Sequence, residues 1–136
     1  MRYLIKETIE AAHQLKWHKT FDGKPGKCSR MHGHSYRIEV EIVLPYDLEP
    51  WREKGVPIDF GLVKREILKH DHTLLNKVVS NPSAENFAWM LHNDIKGVLV
   101  KELEKKDLTL AYQAPFNYQL MVRVWETDNC MVEVSE

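Results

Sequence analysis

In the stretch KCSRMHGHSYRIEV, two histidines, His32 and His34, flank Gly33, and Cys28 stands four residues ahead of them. An alternating apolar and polar run follows. Side chains at i and i+2 of a strand point to one face, so both imidazoles can reach one ion, while Gly33 permits close approach from the other side. A third histidine, His13, closes an earlier alternating run, RYLIKETIEAAH. Three imidazoles at a cavity mouth suit Zn²⁺ with a fourth position open to water or substrate, and imidazole also suits other divalent metals. An H-x-H pair alone is a weak signal in a chain with seven histidines. The third histidine gives it weight.

Cys28 could be no more than a small apolar residue. Its surroundings, LKWHKTFDGKPGKCSR, argue for more: Lys16, Lys19, Lys24, Lys27 and Arg30 stand against Asp22. Such a field favours thiolate, the reactive form, and attracts a polyanion such as a phosphate ester. In KHDHTLLN, Asp71 precedes His72, and a carboxylate beside an imidazole can raise its basicity and orient it for proton transfer. Adjacent side chains seldom pair productively, and the plain alternative is a histidine at a helix C-terminus. Glu126 shares the parity of Leu120, Val122 and Val124 and so falls on an apolar face. There it needs a partner, either a nearby Lys or Arg or a ligand with adjacent N–H donors.

These residues need elements to aim them. Period-2 alternation gives a strand over 2–13, a long Gly-containing loop over 14–31 and a second strand over 34–44. Asp59 caps a short helix running to about His70, and Ser83 opens a second, with Phe87, Met90, Leu91, Ile95, Val98 and Leu99 as its buried stripe. Strands follow over 118–126 and 130–134; 45–57 is a Pro-bounded connection, and 107–117 could hold an extra edge strand. The order ββααββ describes an α+β domain, an antiparallel sheet with two helices on its apolar face. If the first two strands form a hairpin, His13, His32 and His34 meet at one end of that face. The loop 14–31 then brings Cys28 over them.

The remaining properties bound the class. At 136 residues and 43% hydrophobic content the chain suits one domain over 1–136. A net charge of −1 does not point to nucleic acid or a membrane surface. With no signal-like segment and no spanning apolar run, a cytoplasmic protein with Cys28 and Cys130 reduced is expected.

Six segments in this order and spacing, AAH, C-x-x-x-H-G-H-x-Y, IDFGLVK, DHTLLN, NPSAEN and ET, cover the whole chain. Together they resemble the 6-pyruvoyl-tetrahydropterin synthase family, including the 6-carboxy-tetrahydropterin synthases of queuosine biosynthesis. The resemblance implies a T-fold whose subunits join edge to edge into a barrel, a hexamer of two trimers with active sites between chains. It implies His13, His32 and His34 as ligands of Zn²⁺, Cys28 as the proton-abstracting thiolate, and Asp71 with His72 as the second acid/base group. Glu126 would anchor the pterin, Ser83 and Glu85 would line its pocket, and the basic loop with Lys27 and Arg30 would meet the triphosphate. The implied substrate is 7,8-dihydroneopterin triphosphate, converted to 6-carboxy-5,6,7,8-tetrahydropterin. A pyruvoyl product is the first alternative, side-chain cleavage for folate synthesis another, and a non-catalytic zinc-binding T-fold protein a remote one. Three departures stand out: Ser83 where Thr is usual, His70 where Leu is common, and long segments at 45–57 and 107–117.

Overall fold

The computed structural model describes residues 1–44, 55–105 and 118–136. The expected edge strand in 107–117 and most of the 45–57 connection lie outside the described residues. Strand β1, Arg2–His13, pairs antiparallel with β2, His32–Val43, from Arg2↔Val43 to His13↔His32. β2 begins two residues earlier than the alternation suggested, so both histidines of the H-G-H motif lie within the ladder.

Helix α1, Phe60–Leu68, is capped as expected: Asp59 accepts a hydrogen bond from the Gly61 N–H at 2.8 Å. Between the helices lies a two-residue strand, β3, Thr73–Leu74, which pairs parallel with Ala11 and Ala12 of β1. Period-2 alternation cannot show so short an element. Helix α2 is Ala84–Lys105, and β4, Gln119–Thr127, and β5, Cys130–Ser135, complete the sheet. Its strand order is β3-β1-β2-β4-β5.

Both helices cover one sheet face. Ile5, Ile9, Tyr36, Ile38, Val40, Ile42, Leu120, Val122 and Val124 pack there against Val63 and Ile67 of α1 and Phe87, Leu91, Ile95 and Leu99 of α2. The opposite face is charged and internally paired. Glu41 meets Arg2 at 2.9 Å and Arg123 at 2.8 Å, and Lys6 meets Glu39 at 3.1 Å. Among the described residues, no helix is long and apolar enough to cross a membrane.

Candidate active site

The hairpin register determines where the histidines go. His13 and His32 are Cα partners in the last pair of the β1–β2 ladder, and His34 lies opposite Ala11. Equal parity turns all three rings to the helix-covered face. Their donor atoms lie within 4.8 Å of one another, with His13 Nε2 and His32 Nε2 2.9 Å apart. His13 is fully buried; His32 and His34 are half-buried.

Backbone carbonyls hold two of the rings. His13 Nδ1–H donates to the Pro82 carbonyl at 2.7 Å, and His32 Nδ1–H donates to the Arg30 carbonyl at 2.7 Å. This assignment leaves both Nε2 lone pairs facing each other, an unfavourable contact unless a proton or cation lies between them. His34 Nε2 is buried without a hydrogen-bond partner. Burial foremost, then the neighbouring imidazoles and Lys27, press its pKa below the usual value, against an opposing pull from Glu126. Neutral imidazoles with inward lone pairs are what a divalent ion needs. A tetrahedral ion with bonds of about 2.0–2.1 Å asks for donors about 3.3–3.4 Å apart, a value between the 2.9 Å of the His13–His32 pair and the 4.8 Å that bounds the set. The residues present fit a metal.

Glu126 completes the cluster. Its Oε1 lies 3.3 Å from His13 Nε2 and 3.4 Å from His34 Nε2. On β5, Trp125 and Thr127 pair with the neighbours Met131 and Cys130, so Glu126 is the extra residue of a β-bulge. Beneath it, the fully buried Tyr36 hydroxyl lies 3.2 Å from His13 Nδ1. Burial first, and then the Glu126 carboxylate to which it donates, raise the Tyr36 pKa.

The loop after β1 returns to its starting point. The Leu15 N–H donates to the Cys28 carbonyl at 2.9 Å, and Gln14 Nε2 donates to the Ser29 carbonyl at 2.8 Å. Cys28 therefore sits on a short 3-10 turn, Lys27–Ser29, beside the histidine end of the sheet. A cleft of about 420 Å³ is lined by Cys28, Glu126, Ser83 and Glu85 together with Trp17, His18 and Cys130. Lys27 and Arg30 line a neighbouring hollow with Cys28, Met31 and His32. Cys28 stands where the two meet.

The Asp71–His72 pair lies elsewhere. His72 lines an open depression of about 500 Å³ with Glu10, Gly33, His34 and Ser35, to which Cys28 does not contribute. The two side chains do meet, contrary to the expectation for neighbours: His72 Nδ1 lies 3.0 Å from Asp71 Oδ2. The reason is local. His72 has φ 55°, a left-handed conformation uncommon outside glycine, which bends the chain so that adjacent side chains converge. Asp71 Oδ1 also accepts the Glu10 N–H at 2.8 Å, and this bond first, with His72 second, holds the Asp71 carboxyl below its ordinary range.

Three positioning residues had no role in the sequence reading. Pro82 supplies the carbonyl that orients His13. Asn76 clasps the Gln14 backbone, accepting at 2.8 Å and donating at 2.9 Å, just beyond His13. Tyr36 supports His13 and Glu126 from below. The motifs NPSAEN and DHTLLN carry two of them, and no rule of spacing assigns them that work.

Comparison with known proteins identifies the family and the fold. The family model described as 6-pyruvoyl tetrahydropterin synthase matches residues 3–136. The chain belongs to that family. A protein of Archaeoglobus fulgidus, provisionally named 6-carboxy-5,6,7,8-tetrahydropterin synthase, is 32% identical over 105 residues, covering 73% of this chain and 81% of its own. A Synechocystis 6-carboxy-5,6,7,8-tetrahydropterin synthase is 34% identical over 99 residues, 66% of this chain and 72% of its own. A Pyrococcus furiosus dihydroneopterin monophosphate aldolase is 27% identical over 123 residues, 88% of this chain and 96% of its own. The Caenorhabditis elegans 6-pyruvoyl tetrahydropterin synthase structure superposes with a TM-score of 0.63 at 20% identity, covering 100% of this chain and 95% of that one. That likeness establishes the T-fold.

Proposed function

We propose that this protein is a zinc-dependent 6-carboxy-5,6,7,8-tetrahydropterin synthase acting on 7,8-dihydroneopterin triphosphate. The observation that carries the reading is the meeting of three metal-ready imidazoles, a thiol and a carboxylate at one sheet end. His13, His32 and His34 would hold the ion, which when bound supplies Lewis-acid polarisation of substrate oxygens. Cys28 removes a proton from the substrate side chain. Glu126 accepts from the 2-amino and N3–H edge of the pterin, with Ser83 and Glu85 along the same wall. Lys27 and Arg30 take the triphosphate in the adjoining hollow, away from the two carboxylates. Triphosphate leaves, water is consumed and the side chain is cut to release acetaldehyde.

Asp71 and His72 form the second acid/base group, and they would serve the Cys28 cleft of a neighbouring chain. Two open sheet edges support this arrangement. Among the described residues, β3 pairs only with Ala11 and Ala12, leaving β1 from Arg2 to Ile9 without a strand partner on that side, and β5 is the other edge. Such edges recruit further strands, here into a cytoplasmic homohexamer of two trimers.

Mass analysis of products from zinc-loaded protein and 7,8-dihydroneopterin triphosphate tests the reading. Carboxytetrahydropterin with acetaldehyde is expected. A pyruvoyl product supports the alternative synthase, and loss of the side chain as an aldehyde without carboxypterin favours the aldolase activity named for the Pyrococcus relative. Cys28→Ala is expected to abolish turnover while retaining metal. Turnover equal to the parent would overturn the role of Cys28.

A further inference from the structure

One imidazole in the Cys28 cleft has no place in the proposed chemistry. His18 lines it beside Trp17, Cys28, Glu85 and Glu126. The surrounding backbone fixes it: the His18 N–H donates to Leu15 at 2.9 Å, and the His18 carbonyl accepts the Gly26 N–H at 3.0 Å. The ring lies flush against Gly26, where an added Cβ would come within 2.1 Å of Nδ1 and 2.3 Å of Cε1.

This packing determines the tautomer. His18 Nδ1 is buried without a partner. A buried lone pair tolerates that better than a buried N–H, so the ring proton belongs on Nε2. Nε2 is not among the buried unpaired atoms, and the ring borders the cleft. With Nδ1 packed against Gly26, Nε2–H is the ring group left for a ligand in this cleft, whose wall also carries the carboxylates of Glu126 and Glu85. The cleft's apolar lining, Leu15, Trp17, Met131 and Val132, suits a flat ring.

We propose that His18 is a substrate-reading residue: its Nε2–H donates to an acceptor edge of the bound heterocycle, a carbonyl oxygen or ring-nitrogen lone pair, complementary to the donor edge taken by Glu126. This rests on the pterin reading above. A ring presenting donors to both sides would leave the His18 N–H opposed by another N–H and bind poorly.

Two replacements separate recognition from packing. Asn keeps a polar group at the depth of Nδ1 against Gly26 but has nothing at the position of Nε2. Gln places its amide N–H near Nε2. Binding of oxidised pterin, followed by its own fluorescence, is measured on zinc-loaded wild type, His18→Asn and His18→Gln, with metal content as the folding control. Loss of one hydrogen bond predicts binding about tenfold weaker for His18→Asn and within about threefold of wild type for His18→Gln. His18→Asn binding as wild type does, or binding at least as well as His18→Gln, refutes the assignment. Failure of wild type itself to bind pterin refutes the pterin reading, and this proposal with it.

Discussion

Replacing His32 with Ala probes the histidine cluster with and without metal, and the sign of the effect should differ. In metal-free protein, the 2.9 Å contact of His13 Nε2 with His32 Nε2 joins two rings whose Nδ1 atoms already donate to backbone carbonyls, so it needs an extra proton and its deletion costs little. The cost is an unpaired carbonyl on Arg30, an exposed residue whose backbone water can reach. Stability of the metal-free variant should therefore stay within about 0.5 kcal/mol of wild type. With zinc the effect reverses. Four-ligand zinc sites bind with about 10–16 kcal/mol, or about 2.5–4 kcal/mol per donor, so losing one of three histidines weakens Kd by roughly two to three powers of ten. At free zinc about 1,000 times the wild-type Kd, wild type gains about 4.1 kcal/mol and the variant about 1.4 or less. A gap of about 3 kcal/mol corresponds to roughly 10 °C in Tm for a chain of this size. Thermal unfolding with and without zinc, alongside metal content after dialysis, measures both arms. Stoichiometric zinc held by His32→Ala with Kd within about threefold of wild type would falsify the ligand assignment. A variant as destabilised without zinc as with it would show that the ring serves packing.

Two further outcomes follow from buried groups away from the histidine cluster. His70 and His92 are 4% and 1% exposed, and burial lowers both pKa values. A depressed folded pKa means that the unfolded chain binds protons first, so stability is full above about pH 6.5 and declines as pH falls below it, by at most about 1.4 kcal/mol per unit for each ring. Denaturant titrations of His92→Phe between pH 7.5 and 5.5 should show a shallower decline than wild type; an identical slope removes His92 from the account. Separately, Gly26→Ala places a methyl within 2.3 Å of two His18 ring atoms and should displace that ring at a cost of about 1–3 kcal/mol. Unchanged stability and pterin affinity would mean that the ring is not held there.

Period-2 arithmetic located the histidine cluster because the same alternation that buries Ile5, Ile9, Ile38 and Val40 continues to the strand ends. Burial of one face fixes the register, since a one-residue slip would turn every core side chain outward. His13↔His32 pairing is thus a consequence of the core, and it was legible in the sequence. The Asp71–His72 contact was not legible, because it depends on one left-handed residue that no pattern of side-chain types announces. Neither was β3, whose two residues borrow their order from the end of β1. The Pro82 carbonyl could not be assigned from sequence for the same reason: any residue supplies a carbonyl, and only the fold decides which one meets His13.

Glu126 shows how far parity carries and where local geometry takes over. Alternation placed it on the core face after Val124, where a lone carboxylate would be costly. β4 keeps its register against β2 through the Arg37↔Trp125 pair, so the parity holds up to the preceding residue. The register shift against β5 then falls at Glu126 itself, at the sheet end occupied by the histidines. The carboxylate consequently reaches His13, His34 and the Tyr36 hydroxyl, while the cleft remains open on its other side. A salt bridge to Lys or Arg, the simpler expectation for such a residue, would have neutralised it permanently. The imidazole contacts at 3.3 and 3.4 Å leave Glu126 on the wall of the cleft, where the proposed function has it meet a ligand's N–H donors. A bulge at this position thus turns an unfavourable core carboxylate into a group that is supported from below and free to bind from above.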